Sequence, residues 1–260
     1  VSDCAFPAWY TRFRRHTIAS KVVPLPPDFV DYLLADGIFL PTNSTQLSIL
    51  RATFEELSTD DEAEDSSDSD DNEDVDAAER QQQRVREAIR QLGGEVLPKL
   101  NWSAPKASLW ISTTRSMRCT TAEEVFLLLK SSDVVVHDLL HAYDTCDIPP
   151  AERPQPVLVL REWRTLNPAH EFRCFVRDHQ LIGISQRDPA HYPFLADAQQ
   201  EIRHSIRQFY QNAVKESFGH SDYVFDVYLH DPSRRDGRVQ LVDFGPFGGP
   251  TNPLLFEWSE

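Results

Sequence analysis

The four cysteines, Cys4, Cys119, Cys146 and Cys174, show no C-x-x-C spacing, which excludes a zinc knot and argues against a secreted disulfide scaffold. Reduced thiols in the cytosol or nucleus are expected. The chain has no basic-then-apolar leader and no apolar run near the roughly 20 residues that span a bilayer, so a soluble cytoplasmic protein without membrane contact is expected. It has no G-x-S-x-G element and no Ser/His/Asp or Cys/His arrangement above chance. Gly248-Gly249 precedes a proline instead of a helix, so it is no P-loop. His137 and His141 are four apart but lack a suitably placed third ligand, and they read as structural. No internal repeat is visible. The chain begins with Val1 and stops after Trp258-Ser259-Glu260, which reads as a piece of a longer protein.

Basic residues are missing altogether from residues 55–79, which hold fourteen Asp and Glu and no Lys or Arg. The formal charge of −15 is therefore local, because the rest of the chain carries 26 basic against 27 acidic residues. A near-neutral remainder implies neither a broad nucleic-acid surface nor a polybasic membrane patch. Function has to come from a site. Ser58 to Asp76 is almost free of apolar residues and is expected to be disordered. Ser58, Thr59 and Ser67 in it each carry an acidic residue three positions on, a context that suits acidophilic kinases.

What is present reads as strands and helices in runs, which points to α+β architecture with mainly antiparallel sheets. Helices are expected at Asp28 to Ala35 with a stop at Asp36-Gly37, at Ala77 to Leu92 before Gly93-Gly94, from Thr121 with a capping box to Glu124, and from Ala196 to Phe218. Strands are expected at Glu95 to Leu100, Ala107 to Ser112, 157–163, 171–177, 181–187, and in a last hairpin at Tyr223 to Leu229 and Val239 to Phe244. The boundaries follow: an N-terminal segment 1–57, the acidic insert 58–79, a smaller lobe 80–150 and a larger lobe 151–260.

Three constellations carry chemistry. A hairpin closing symmetrically about Arg234 and Arg235 sets Asp226 opposite Asp243, and two facing carboxylates need something positive between them. A magnesium ion completed by phosphate oxygens suits them; a splayed, solvated hairpin is the bland alternative. In EFRCFVRDHQLIGISQR, matching the apolar faces puts Glu171 opposite Arg187 and Arg173 opposite Ser185 across a turn at Asp178-His179-Gln180. Guanidinium forks oriented by a carboxylate suit phosphate oxygens, or equally a cross-strand salt bridge. Lys99 ends a strand, with Trp102, Ala104 and Lys106 in the following loop, where a cation and loop amides can meet phosphate and an indole can cover a base. Backbone freed where Arg161-Glu162-Trp163 leaves its strand could bond an adenine edge.

WYTRFRRHTI, PLPPDFVDYLLADG, LPKLNWSAPK, LREW, EFRCFVRDHQLIGISQRD, VFDVY, LVDFGPF and LLFEW, in this order, resemble the cell division cycle protein 123 family. The likeness covers nearly the whole chain except the acidic insert. It implies an ATP-grasp-like fold of two lobes with a nucleotide cleft between them, and a monomer. It also implies an ATP- and Mg²⁺-binding chaperone that assists assembly of eukaryotic translation initiation factor two through its gamma subunit. On this likeness Lys99, Trp102, Ala104 and Lys106 form the ATP loop, Arg161, Glu162 and Trp163 the hinge near adenine, and Glu171, Arg173 and Arg187 the ribose and phosphate contacts. Asp226 and Asp243 hold the metal. The family's I-D-F-N-P-F has asparagine where this chain has Gly245, so one side-chain oxygen is missing from the expected shell. The basic and aromatic stretch with Trp9, Tyr10 and Arg14 is a candidate partner surface, or else an anchor on the core. The alternatives are an ATP-grasp carboxylate–amine ligase, for which no acceptor pocket is nominated, and a nucleotide-free adaptor of the same fold.

Overall fold

Alternating or continuous apolar runs give seven strands among the described residues: β1 Ser20–Pro24, β2 Val96–Lys99, β3 Val157–Glu162, β4 Glu171–Arg177, β5 Gln180–Gln186, β6 Tyr223–Leu229 and β7 Val239–Pro246. The computed structural model describes residues 1–35, 71–112, 114–146, 151–235 and 237–258. The helix stop at Asp36-Gly37 and residues 58–70 of the acidic insert, with Ser58, Thr59 and Ser67, lie outside the described residues. Every strand pair is antiparallel, in one sheet of order β1-β3-β2 and another of order β5-β4-β6-β7. No helix among the described residues is long and apolar enough to cross a membrane.

The chain divides into two units. One holds Ser20–Leu140 with Gln155–Trp163, and the other holds Val1–Ala19, His141–Pro154 and Arg164–Glu260. This departs from a boundary near residue 151, because β3 pairs with β1 and β2 and not with the strands that follow it. Likewise the N-terminal segment is split, and residues 1–19 join the C-terminal strands: Leu241 N–H donates to His16 O at 2.7 Å, and Thr17 Oγ1 donates to Leu241 O at 2.8 Å.

In the first unit, Val23, Val96, Leu158 and Leu160 pack with helices Pro27–Leu34, Asp71–Gln91, Ala122–Lys130 and Asp133–Leu140 into one apolar cluster. The second of these helices starts six residues before the expected Ala77, since acidic composition is no obstacle at a helix N-terminus. The capping box forms as expected. Glu124 N–H donates to Thr121 Oγ1 at 3.2 Å, and Thr121 N–H donates to Glu124 Oε2 at 3.3 Å. Thr121→Ala is expected to cost about 1 kcal/mol, read as a lower urea midpoint at unchanged slope; an unmoved midpoint would show that the cap contributes nothing.

One element differs from expectation and another was not anticipated. Lys106–Trp110 is a 3₁₀ helix and not part of a strand, and Asp133–Leu140 is a helix despite its three consecutive valines.

The second unit packs one face of its sheet against helix Phe6–Phe13 and a long helical run. That run comprises Phe194–Asp197, Gln199–Phe209, a π turn at Tyr210–Val214, and Lys215–Phe218, ending at Gly219 with φ +78°. Phe244 is the hub: its ring stacks on Phe218 with centroids 4.0 Å apart and meets Phe13 at 5.1 Å and Trp9 at 5.3 Å. Trp9, 1 % exposed, is therefore a core anchor and leaves the list of partner-surface residues. Tyr10 is half-buried, stacked on Phe6, while Arg14 stays exposed.

Candidate functional site

The four-stranded sheet turns a polar row outward from its core. Its register aligns Ser185, Arg173, Asp226 and Asp243 across β5, β4, β6 and β7, and directly opposed residues share a face. The hairpin does not close symmetrically about Arg234 and Arg235. Leu229 pairs with Val239 and Val227 with Leu241, and only a bulge at Val242 brings Asp243 opposite Asp226. The β4–β5 turn is tighter than expected. Arg177 pairs with Gln180, and Asp178 and His179 take φ of +49° and +56°, as a two-residue hairpin turn requires.

Asp226, 5 % exposed, is neutralised within the sheet. Arg173 Nε donates to its Oδ1 at 2.8 Å and Nη2 to its Oδ2 at 2.9 Å, while Arg187 Nη1 donates to Oδ2 at 2.7 Å. Arg173 Nη1 also donates to Asn252 O at 2.7 Å. Burial works against the Arg173 charge, but the bonds to Asp226 and the nearby carboxylates outweigh it and raise its pKa. Its fork, expected to face phosphate, grips a carboxylate instead. Arg187 is the freer cation, with its Nε 3.6 Å from Glu171 Oε2.

The protein's own arginines thus relieve part of the repulsion that called for a metal. Glu171, Asp226 and Asp243 still outnumber Arg173 and Arg187. Asp226 accepts three bonds of the about four a carboxylate can take, so Oδ1 keeps a lone pair. Among the described residues no group of three or more His, Cys, Asp or Glu could hold a metal ion. Gly245 adds no ligand. The donor set does not fit a resident metal cage, but it fits a magnesium ion that arrives with phosphate, since such ions take one or two carboxylates and leave the rest to phosphate and water.

The three-stranded sheet shows the opposite sign. Lys99 pairs with Val159 and Leu97 with Arg161, so Lys99 and Arg161 lie diagonally on one face, turned away from the apolar cluster. They are 1 % and 5 % exposed. Two cations at such depth need negative charge nearby. The loop after Lys99 is pinned by Asn101, whose Nδ2 donates to Gln155 O at 3.0 Å and whose Oδ1 accepts from Val157 N–H at 2.8 Å. Trp102 and Ala104 are half-buried, and Lys106 is exposed at the start of the 3₁₀ helix. At the strand exit Glu162 and Trp163 are half-buried, and the Trp163 N–H, expected to be free, donates to Glu95 O at 3.0 Å.

The sequence reading missed Asp138. It sits between the two histidines that were set aside, and it accepts from Ser103 N–H and Ser103 Oγ, both at 2.8 Å, and from Trp102 N–H at 3.3 Å. The signal was a single carboxylate in the apolar stretch Val-Val-Val-His-Asp-Leu-Leu.

The family model described as D123 matches residues 9–260. The chain belongs to the D123 family. Its relatives in that family include a "Translation initiation factor eIF2 assembly protein" of Sclerotinia sclerotiorum, 42 % identical over all of this chain and 64 % of that protein. A protein of the same description from Xenopus laevis is 40 % identical over all of this chain and 77 % of its own length. The chain therefore spans just under two thirds of the fungal relative. Among solved structures, Cdc123 from Schizosaccharomyces pombe superposes with a TM-score of 0.78 at 38 % identity, covering 99 % of this chain and 88 % of the other. The fold of the D123 family is thus mixed α+β with antiparallel sheets.

Proposed function

We propose that this chain binds ATP with Mg²⁺ on an ATP-grasp-like scaffold and promotes assembly of eukaryotic translation initiation factor two by engaging its gamma subunit. The observation that carries the nucleotide part is that the buried cations Lys99 and Arg161 share the sheet face turned away from the apolar cluster, where Lys99 leads into the loop that carries Trp102. Trp102, Ala104 and Lys106 would add loop contacts, Arg161 to Trp163 the adenine edge, and Glu171 and Arg187 the ribose and phosphates. Arg173 would act by holding Asp226, and Asp226 with Asp243 would take the metal. Bound Mg²⁺ would offset phosphate charge and the surplus of carboxylates on the four-stranded sheet. The assembly part is supported by what relatives across the full span of this chain are called.

Melting the full chain with ATP and Mg²⁺ together is expected to raise Tm, because a ligand at about 100 times its Kd adds roughly 2.7 kcal/mol. Mg²⁺ alone should shift nothing. No shift at millimolar ATP with Mg²⁺ would replace this reading with a nucleotide-free adaptor. In a pull-down, the isolated gamma subunit should be retained at micromolar protein; failure there would remove the assembly role.

Gly245→Asn is expected to lower several-fold the Mg²⁺ concentration needed for half-maximal nucleotide stabilisation. It should also lower the ligand-free Tm, since the new Cβ would stand 3.0 Å from Val224 Cγ2 and 3.5 Å from Thr251 Oγ1. An unchanged Mg²⁺ requirement would mean that this position does not face the ion.

A further inference from the structure

Asp138 is placed where a carboxylate does helix stability no good. It lies in the last turns of Asp133–Leu140, at the negative end of the helix dipole, and is 7 % exposed. Burial raises its pKa; the bonds from Ser103 and Trp102 and the charge of Lys99 pull the other way. Its hydrogen bonds go to one stretch of loop, Trp102-Ser103, which has no regular secondary structure and lies between Lys99 and Lys106. A buried acceptor that collects two successive backbone N–H groups and a hydroxyl fixes the path of that loop. Asn101 fixes its other flank to the start of β3. Loop, helix and strand belong to one unit, so the clamp is complete within it.

We propose that Asp138 is a positioning residue for nucleotide: it holds Trp102-Ser103 in the shape that presents the indole, the loop amides and Lys99 to ATP. This rests on the nucleotide reading above. Asp138 touches no ligand in this account; it acts through the loop. Asparagine at this position keeps one acceptor oxygen but turns the other into a donor. Its oxygen can still accept from the two amides and its NH2 can donate to the Ser103 hydroxyl, but the negative charge that strengthened all three bonds is gone.

The test uses the full chain, with ATP and Mg²⁺ titrated by calorimetry and amide hydrogen exchange followed in parallel. Asp138→Asn is expected to weaken ATP about tenfold, as three charge-assisted bonds become weaker neutral ones. Exchange at Trp102 and Ser103 should speed up at least about tenfold, while helix Ala122–Lys130 keeps its protection. Ser103→Ala should weaken ATP by a smaller factor, and the double variant should be no worse than Asp138→Asn alone, as expected of groups acting as one unit. Equal ATP affinity in the parent and Asp138→Asn overturns the positioning role, whatever the exchange shows. Unchanged exchange at both amides overturns the clamp. If Asp138→Asn does not fold, Ser103→Ala decides alone, and undiminished affinity there overturns the proposal. A parent chain with no affinity for ATP and Mg²⁺ removes the nucleotide reading first, and this role with it.

Discussion

Asp226→Ala should be the most destabilising single substitution on the polar face of the four-stranded sheet, costing about 3–5 kcal/mol. The carboxylate receives three guanidinium bonds, and the Arg173 side chain is only 12 % exposed. Without Asp226, Arg173 would be left as a charge held out of water, still donating to the Asn252 carbonyl. Arg187, at 26 %, can turn to solvent. At about 2–4 °C per kcal/mol for a chain of this size, the melting temperature should fall by roughly 6–20 °C. The double variant Arg173→Met, Asp226→Leu should recover most of that loss, since a buried ion pair replaced by apolar residues of similar volume is often neutral. The nucleotide-dependent shift should stay absent in both. A single variant that melts within 2 °C of the parent would show that this ion pair contributes little to the sheet.

The second large effect is a separation of function from stability at Lys99. Lys99→Met keeps the length of the side chain and removes a cation that is 1 % exposed. The ligand-free protein should melt a few degrees below the parent, because removing the lysine spares its own desolvation but leaves the buried Asp138 carboxyl with less compensating charge. The shift with ATP and Mg²⁺ should vanish, corresponding to a loss in affinity of about 100-fold or more, as for a desolvated charge pair lost on one side.

A pH effect accompanies it. Lys99 helps keep Asp138 ionised against burial, so its removal raises that carboxyl pKa further. A carboxyl whose folded pKa lies above its unfolded value adds stability below that range and loses it as pH rises through the folded pKa. The stability of Lys99→Met relative to the parent should therefore improve as pH falls from 7 toward the ordinary carboxylate range. Retention of the ATP shift by Lys99→Met would exclude this lysine from the site.

Much of the candidate site could be read along the chain because its signals are local. Period-two alternation marked β4 and β5, continuous apolar runs marked β3, β6 and β7, and matching apolar faces placed Arg173 opposite Ser185. The capping box marked the helix at Ala122 because Thr121 and Glu124 are three residues apart. Non-local features were hidden. Strand β1, short and ending at Pro24, exists because β3 offers it a partner far along the chain. Lys106–Trp110 and Asp133–Leu140 were misread or missed because short apolar runs fit helix and strand equally well. The alignment of Asp226 with Asp243 was reached by assuming symmetric closure, whereas a bulge at Val242 produces it.

By itself, then, the sequence determined the α+β class, the strand and helix segments with strong local pattern, and the residue types from which a phosphate and magnesium site can be built. Only the tertiary structure decided how those charges are used. It turned Arg173 from a ligand fork into the partner of Asp226, buried Trp9 under Phe244, joined β3 to β1 and β2, and brought Asp138 to the loop after Lys99. The reason is physical: the identity and periodicity of side chains are written in neighbouring residues, while the partner of a buried charge is whichever group folding brings within hydrogen-bond reach.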